Sequence, residues 1–210
     1  MEKFLNIKIN LSQFYVLPRA ETKFWVKKVI KEIESKKKKI KCLDLFSGTG
    51  FIGIAILKVC PEICRRVDFG DIDKKALQQI KINLKLNKIS LKGVKIIQTD
   101  IFSDIKRKYD LILANPPYVA KERLGEVQLS VKKYEPKTAW YGKKGGLFYI
   151  EKFLSKAKNF LKENGIIYFE IDTKQKRSVE NLLRKYNYSK FTFGKDQFGK
   201  YRWVKIIKTP

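Results

Sequence analysis

From Ile40 onward the chain alternates short apolar runs with helical stretches, and this alternation restricts the fold more than any other feature. Candidate strands fall at 40–46, 66–71, 93–98, 109–114 and 165–171, with helical stretches at 51–60, 73–87, 146–162 and 174–186. Strand–helix–strand succession requires crossover connections, which make neighbouring strands parallel and cover both faces of the sheet with helices. The last segments depart from that pattern, since 189–194 and 200–207 read as two strands joined by the turn-like KDQFG. A terminal hairpin on a doubly wound sheet introduces one antiparallel strand. The expected fold class is therefore α/β, with seven strands, mostly parallel, and helices on both faces.

Ahead of this region, Phe4–Asn10 and Gln13–Leu17 alternate loosely and predict a hairpin turning at Leu11–Ser12. Ala20–Glu34 predicts a helix, with Phe24, Val29 and Ile33 forming a stripe that Trp25, Val26 and Ile30 widen. The run SKKKKIK (35–41) reads as a solvated connection. The organisation expected is an N-terminal hairpin segment over 1–18 and one domain over 19–210. One connection is disproportionately long: Val119–Gly145, with a helical turn expected at Gly125–Val131, has the length of a binding loop or lid.

Composition narrows the chemistry. A length of 210 residues with 44% hydrophobic and 13% aromatic content suits one well-packed domain and argues against disorder. No apolar run reaches the roughly 18 residues of a membrane span, and the start MEKFLNIKINL lacks a signal-peptide pattern, so a cytoplasmic protein is expected. Cys42, Cys60 and Cys64 read as reduced, packed thiols, with no second ligand pair to complete a metal site. The chain has no histidine, so its chemistry must proceed without the usual proton shuttle. The net charge of +26 raises the prospect of RNA or a ribosome as partner. Arginine, however, supplies only eight of the 47 basic residues, and nucleic-acid readers favour arginine forks. The charge reads as much as a lysine bias as a binding signal, with a weak ribosome or RNA contact left as an alternative.

The motifs cluster at strand ends. Strand 40–46 delivers CLDLFSGTGFIG, where Gly48 and Gly50 permit a tight turn and close backbone approach and Phe51 opens the next helix. Asp44 ends that strand, where a carboxylate can face a cationic ligand. Asp71 ends the second strand 21 residues beyond Gly50, a spacing that suits acceptance from ribose hydroxyls. Asp100 ends the third, placed to accept from an adenine amine, with Ile101 and Phe102 against the ring. Each acid alone reads equally well as a helix cap. Three at successive strand ends of a basic chain point to the carboxyl edge of the sheet as a ligand site. Gly48, Gly50 and Gly53 also have the G-x-G-x-x-G spacing of a nicotinamide dinucleotide site.

The fourth strand decides between these. ILANPPYVA (112–120) runs straight into two prolines. Pro116 biases Asn115 toward an extended conformation, while Pro116 and Pro117 fix their own φ and remove two donors. What remains is a rigid set of acceptors, the Asn115 side-chain oxygen among them, fit to hold both hydrogens of a primary amide or aromatic amine. Tyr118 can stack on such a planar group. Holding both hydrogens would localise the nitrogen lone pair and aim it at a methyl donor. The plain alternative is a strand terminator, since Asn-Pro is a turn signal.

These motifs together resemble the class I S-adenosylmethionine-dependent methyltransferases, and more narrowly the HemK/PrmC family of glutamine methyltransferases that modify peptide chain release factors. The similarity runs from about Phe14 to Arg202, nearly the whole chain. YVLPRAET (15–22) is similar to the family's leading motif, DLFSGTGFIG (44–53) to its cofactor loop and NPPY (115–118) to its catalytic motif. YEPKTAWYGKKGGLFYIEKFL (134–154) and KDQFGKYRWV (195–204) are similar to its substrate loop and closing hairpin. NPPY alone is shared with methyltransferases of adenine and guanine amines in RNA or DNA.

The resemblance implies a Rossmann-like seven-stranded sheet with one reversed strand, S-adenosyl-L-methionine as cofactor and S-adenosyl-L-homocysteine as product. It implies a cofactor pocket of Phe46, Ser47, Gly48, Thr49, Gly50, Asp71, Asp100, Ile101 and Asn115. Asn115, Pro116, Pro117 and Tyr118 would hold the substrate amide, with Asn115, Pro116 and Tyr118 catalytic, and Arg19 with Thr22 would help close the site. A release factor is the implied partner, no membrane is involved and a monomer is expected. Phe46 stands where the family usually has glycine, and Lys23 where an acid is common. The family's usual N-terminal helical domain is not expected ahead of YVLPRAET. A cofactor-binding module without catalysis is the remaining alternative.

Overall fold

The computed structural model describes residues 4–35, 38–64 and 66–209. The elements, in chain order, are α1 (Ala20–Glu34), β1 (Lys41–Leu45), α2 (Phe51–Val59), β2 (Arg66–Asp71), α3 (Lys74–Leu86), β3 (Lys95–Gln98), β4 (Tyr109–Ala114), α4 (Leu129–Tyr134), α5 (Phe148–Ala157), β5 (Leu161–Glu170), α6 (Lys176–Lys185), β6 (Phe191–Lys195) and β7 (Tyr201–Ile207). They build one seven-stranded sheet in the order β3-β2-β1-β4-β5-β7-β6, with β7 antiparallel to both its neighbours and the other pairs parallel. The α/β fold with a single reversed strand is thus the one the alternation predicts.

Period-2 alternation explains why both faces are buried. Leu111, Leu113, Ile166 and Tyr168 enter one apolar cluster, beneath α1, α2 and α3. Their neighbours Ile112, Ala114, Ile167 and Phe169 enter the other, beneath α5 and α6. Gly53 lets α2 approach β2, because a Cβ there would lie 2.4 Å from the Phe69 ring. Its place in G-x-G-x-x-G is therefore accounted for by helix–strand packing.

Most boundaries shift by a residue or two, and two expectations change more. The helix expected over 146–162 is the shorter α5; a 3-10 turn at Lys158–Phe160 follows it, and β5 begins at Leu161, with Asn164 at φ +59° before Gly165. The helical turn expected at Gly125–Val131 appears as two pieces, a 3-10 helix over Lys121–Glu126 and then α4. Residues 36 and 37 of the lysine run lie outside the described residues. Cys42, Cys60 and Cys64 are free and buried. Among the described residues no helix is long and apolar enough to cross a membrane.

The N-terminal hairpin does not form as expected. The turn lies at Leu5–Asn6, both at positive φ, and closes a single bridge between Phe4 and Ile7. Residues 8–14 bond instead to a row of buried amides on α3 and its C-cap, Asn87. Asn87 exchanges two bonds with the Lys8 backbone (2.9 and 2.7 Å) and Asn83 two with that of Asn10 (2.8 and 3.1 Å). Gln79 Oε1 accepts from the Gln13 amide at 2.7 Å and the Phe14 amide at 3.2 Å. Side-chain amides spaced one helical turn apart thus take the place of a partner strand.

Candidate active site

The strand order reverses between β1 and β4, and the carboxyl ends there open the crevice where open α/β sheets bind ligands. Register sets what emerges: Leu45 pairs with Gly70 on one side and Ala114 on the other, and Ala114 with Phe169. Asp71, Phe46, Asn115 and Glu170 therefore leave the sheet side by side. A cleft of about 500 Å³ lies over this edge, a volume suited to a small-molecule ligand. Phe46, Ser47, Gly48, Thr49, Asp71, Asp100, Ile101, Asn115, Pro116, Pro117 and Tyr118 all line it. Gly50 lies behind them, at φ +77°, as the N-cap of α2.

The glycine loop is tied down from behind. Ser47 Oγ donates to the carbonyls of Asp44 (2.7 Å) and Gly70 (3.0 Å), and the Gly48 amide donates to Asp71 Oδ2 at 2.8 Å. Asp71 Oδ1 accepts from the Asp73 amide at 3.0 Å. Asp71 thus lines the cleft with its carboxylate fixed by backbone donors. Burial raises the Asp71 carboxyl above its ordinary range, and these backbone donors oppose the rise. Phe46 adopts φ +56°, the left-handed region a glycine would enter without cost, while its ring meets Tyr149 and Phe153 edge-on. Ile101 is at φ +60°, unusual for a β-branched residue, and is held by Thr99 Oγ1 donating to its carbonyl at 3.1 Å. Asp100 is half exposed and receives Lys152 Nζ at 3.0 Å.

Asp44 is a correction. It is fully buried, turned away from the cleft, and accepts from the Gly53 amide at 2.8 Å with Oδ2, while Oδ1 has no hydrogen-bond partner. Burial raises this carboxyl well above the ordinary range. The acid serves the start of α2 rather than a cationic ligand.

At the other end, no hydrogen bond among the described residues engages the Asn115 side chain or the Pro116 carbonyl. The Tyr118 carbonyl is occupied, accepting from Gln175 Nε2 at 2.9 Å. The 142–146 loop lies against this strand end, and Gly146 is required there because a Cβ would lie 2.1 Å from the Tyr118 carbonyl oxygen. Arg19 of the leading motif forms an ion pair with Glu135 of the EP segment at 2.5 Å, and the Glu135 side chain is only 3% exposed. Two segments more than a hundred residues apart thus form one wall. Thr22 faces inward and donates to Glu170 Oε2 at 2.6 Å. Glu170, Gln175 and the amide row on α3 escaped the sequence reading. An acid inside the apolar run IIYFEI was the signal for Glu170.

The charge of the cleft is opposite to that of the chain. Its charged lining comprises seven acids (Glu21, Asp71, Asp73, Asp100, Glu126, Glu135, Asp172) and three arginines (Arg19, Arg123, Arg202), with no lysine. Of the seven acids, Asp100, Glu126, Glu135 and Asp172 are ion-paired, while Glu21, Asp71 and Asp73 have no ion pair among the described residues and leave the lining acidic within a chain of net charge +26.

The methyltransferase small domain family matches residues 22–132. The chain is 32% identical to the release factor glutamine methyltransferase of Lactococcus lactis subsp. lactis (strain IL1403), over 97% of this chain and 73% of that one. It is 33% identical to the Clostridium botulinum (strain Hall) protein of the same name, over 98% and 72%. Among solved structures, the 16S rRNA guanine N2 methyltransferase RsmC of T. thermophilus, in complex with AdoMet and guanosine, shares the fold at a TM-score of 0.65 and 16% identity, over 92% of this chain and 44% of that one. The chain is a methyltransferase of the release factor glutamine methyltransferase family, built on the class I fold.

Proposed function

We propose that the protein transfers a methyl group from S-adenosyl-L-methionine to the side-chain amide nitrogen of a glutamine in the GGQ loop of a peptide chain release factor. The observation that carries this reading is an unengaged Asn115 beside Asp71 in an acid-rich wall. A cationic cofactor and a neutral amide suit such a wall, whereas a polyanionic nucleic acid does not. The residues present fit the cofactor. Asp71 offers lone pairs for ribose hydroxyls, Asp100 for the adenine amine, and Ile101 an apolar wall. A Cβ built on Gly48 would have only Phe14 within 4 Å, at 3.5 Å, so the loop backbone is open to close approach.

When bound, the cofactor supplies an electrophilic methyl. The chain's part is to bind and orient the acceptor. Asn115 Oδ1 and the Pro116 carbonyl accept the two amide hydrogens, and Tyr118 borders the amide plane. An amide nitrogen is a weak nucleophile because its lone pair is delocalised; two acceptors in its plane aim that pair at the methyl. The acceptor nitrogen would gain that methyl and give up one N–H proton to solvent, so no histidine is needed. Alignment of this kind supplies up to about 7–11 kcal/mol of a barrier. The protein works as a cytoplasmic monomer on this reading.

The test is to incubate the chain with S-adenosyl-L-methionine, a release factor and ribosomal RNA, then locate the added methyl by mass spectrometry. Methyl on the loop glutamine is expected. Methyl on a base would transfer the reading to exocyclic amines of nucleic acid, and methyl on neither would leave a binding module.

A further inference from the structure

Glu170 ends β5 at 1% exposure, carrying a carboxylate into the apolar interior. An isolated buried carboxylate costs several kcal/mol, and an apolar residue of similar size would fill the space without that penalty. Fold stability alone does not account for it. Three donors surround it: Thr22 Oγ1 at 2.6 Å and Trp25 Nε1 at 2.8 Å reach Oε2, and the Tyr118 hydroxyl reaches Oε1 at 2.9 Å. The first two sit on α1, whose first turn completes the leading motif, and the third on NPPY. Tyr118 is thereby held at both ends, its hydroxyl by Glu170 and its carbonyl by Gln175. Arg202, which lines the cleft, lies within electrostatic reach of Glu170 and Tyr118 and offsets the buried charge.

We infer that Glu170 is a positioning residue for methyl transfer: its carboxylate ties the Tyr118 hydroxyl to α1, so that the substrate amide meets a fixed aromatic wall. This rests on the reading that Asn115–Tyr118 hold the acceptor. Glutamine weakens the clamp, because a neutral amide replaces the charged acceptor. Its single oxygen serves Thr22 and Trp25, and its NH2 group then meets the Tyr118 hydroxyl donor to donor unless that hydroxyl rotates.

The experiment compares Glu170→Gln, Tyr118→Phe and the double variant, measuring kcat on a release factor and Kd for S-adenosyl-L-methionine. Each single variant is expected to lower kcat about tenfold with cofactor affinity unchanged, and the double variant to fall no further than the worse single one. In 13C-tyrosine-labelled protein without substrate, Glu170→Gln should turn slow Tyr118 ring flips into fast ones. Unchanged kcat in the variants, additive losses, a proportional loss of cofactor affinity or an unchanged tyrosine spectrum would each overturn the inference. Tyr118→Phe preserves the test should Glu170→Gln fold poorly. If the wild-type chain leaves a release factor unmethylated, it is the functional reading that fails, and the tyrosine spectrum still decides the clamp.

Discussion

Asn83→Ala tests how the N-terminal segment is held over the cofactor loop. The Asn83 side chain accepts from the Asn10 amide at 2.8 Å and donates to the carbonyls of Asn10 at 3.1 Å and Thr49 at 2.9 Å. Three net hydrogen bonds at about 1 kcal/mol each give about 3 kcal/mol. Leaving the Thr49 carbonyl unpaired adds about 1 kcal/mol, and the better helix propensity of alanine returns roughly 0.6 kcal/mol. The expected loss is about 3 kcal/mol, a large share of the roughly 5–15 kcal/mol that holds a domain together. Urea unfolding followed by far-UV circular dichroism should show a lower midpoint at an unchanged slope. Because Thr49 belongs to the glycine loop and Phe14 lies over Gly48, affinity for S-adenosyl-L-methionine should fall as well. A loss below about 1 kcal/mol would show that water replaces these bonds at little cost, and that the amide row does not hold residues 8–14.

Arg19→Ala leaves Glu135 buried and unpaired; allowing for the partial exposure of Arg19, calorimetry should show a loss of about 2 kcal/mol, with the Glu135 carboxyl, already raised by burial, pushed higher still. Asp44→Asn should act the other way. Burial raises the Asp44 carboxyl, so the folded chain holds that proton more tightly than the unfolded chain does, and stability is lost as pH climbs above the ordinary carboxylate range. Thermal melts should therefore find Asp44→Asn more stable than the parent by about 1 kcal/mol at neutral pH, a gain that shrinks on acidification. A variant that melts lower at neutral pH would show that the charge is used. Asp100→Ala should weaken S-adenosyl-L-methionine binding about tenfold by titration calorimetry, with no loss for an analogue lacking the adenine amine; equal loss for both would assign Asp100 to the loop rather than to the base.

The sheet was legible because each strand carries its own signal. Ile112 and Leu113 face opposite clusters, and unbroken apolar runs require helices on both sides. The cleft was legible because Asp71, Asp100 and Asn115 mark strand ends, and parallel strands bring their carboxyl ends to one edge. Asp44 followed the same rule and was misread, since whether a strand-end acid turns toward ligand or helix depends on side-chain direction, which spacing does not reveal. The N-terminal hairpin failed for a related reason: Gln79, Asn83 and Asn87 look like ordinary polar helix residues until the fold places a chain against them. The Arg19–Glu135 and Glu170–Tyr118 contacts join segments far apart in sequence, with no local pattern to announce them. The acid lining of a basic protein is invisible in a net charge of +26, because it exists only once the loops converge.

The central claim is that Asn115 aligns an amide nitrogen for attack. It is tested most directly by the single-turnover rate of Asn115→Ala, with release factor and cofactor saturating and cofactor affinity measured alongside. The rate should fall by about a thousandfold or more while the Kd for S-adenosyl-L-methionine stays within a few-fold of wild type. A rate within about tenfold of wild type, or a rate loss matched by lost cofactor binding, would contradict it.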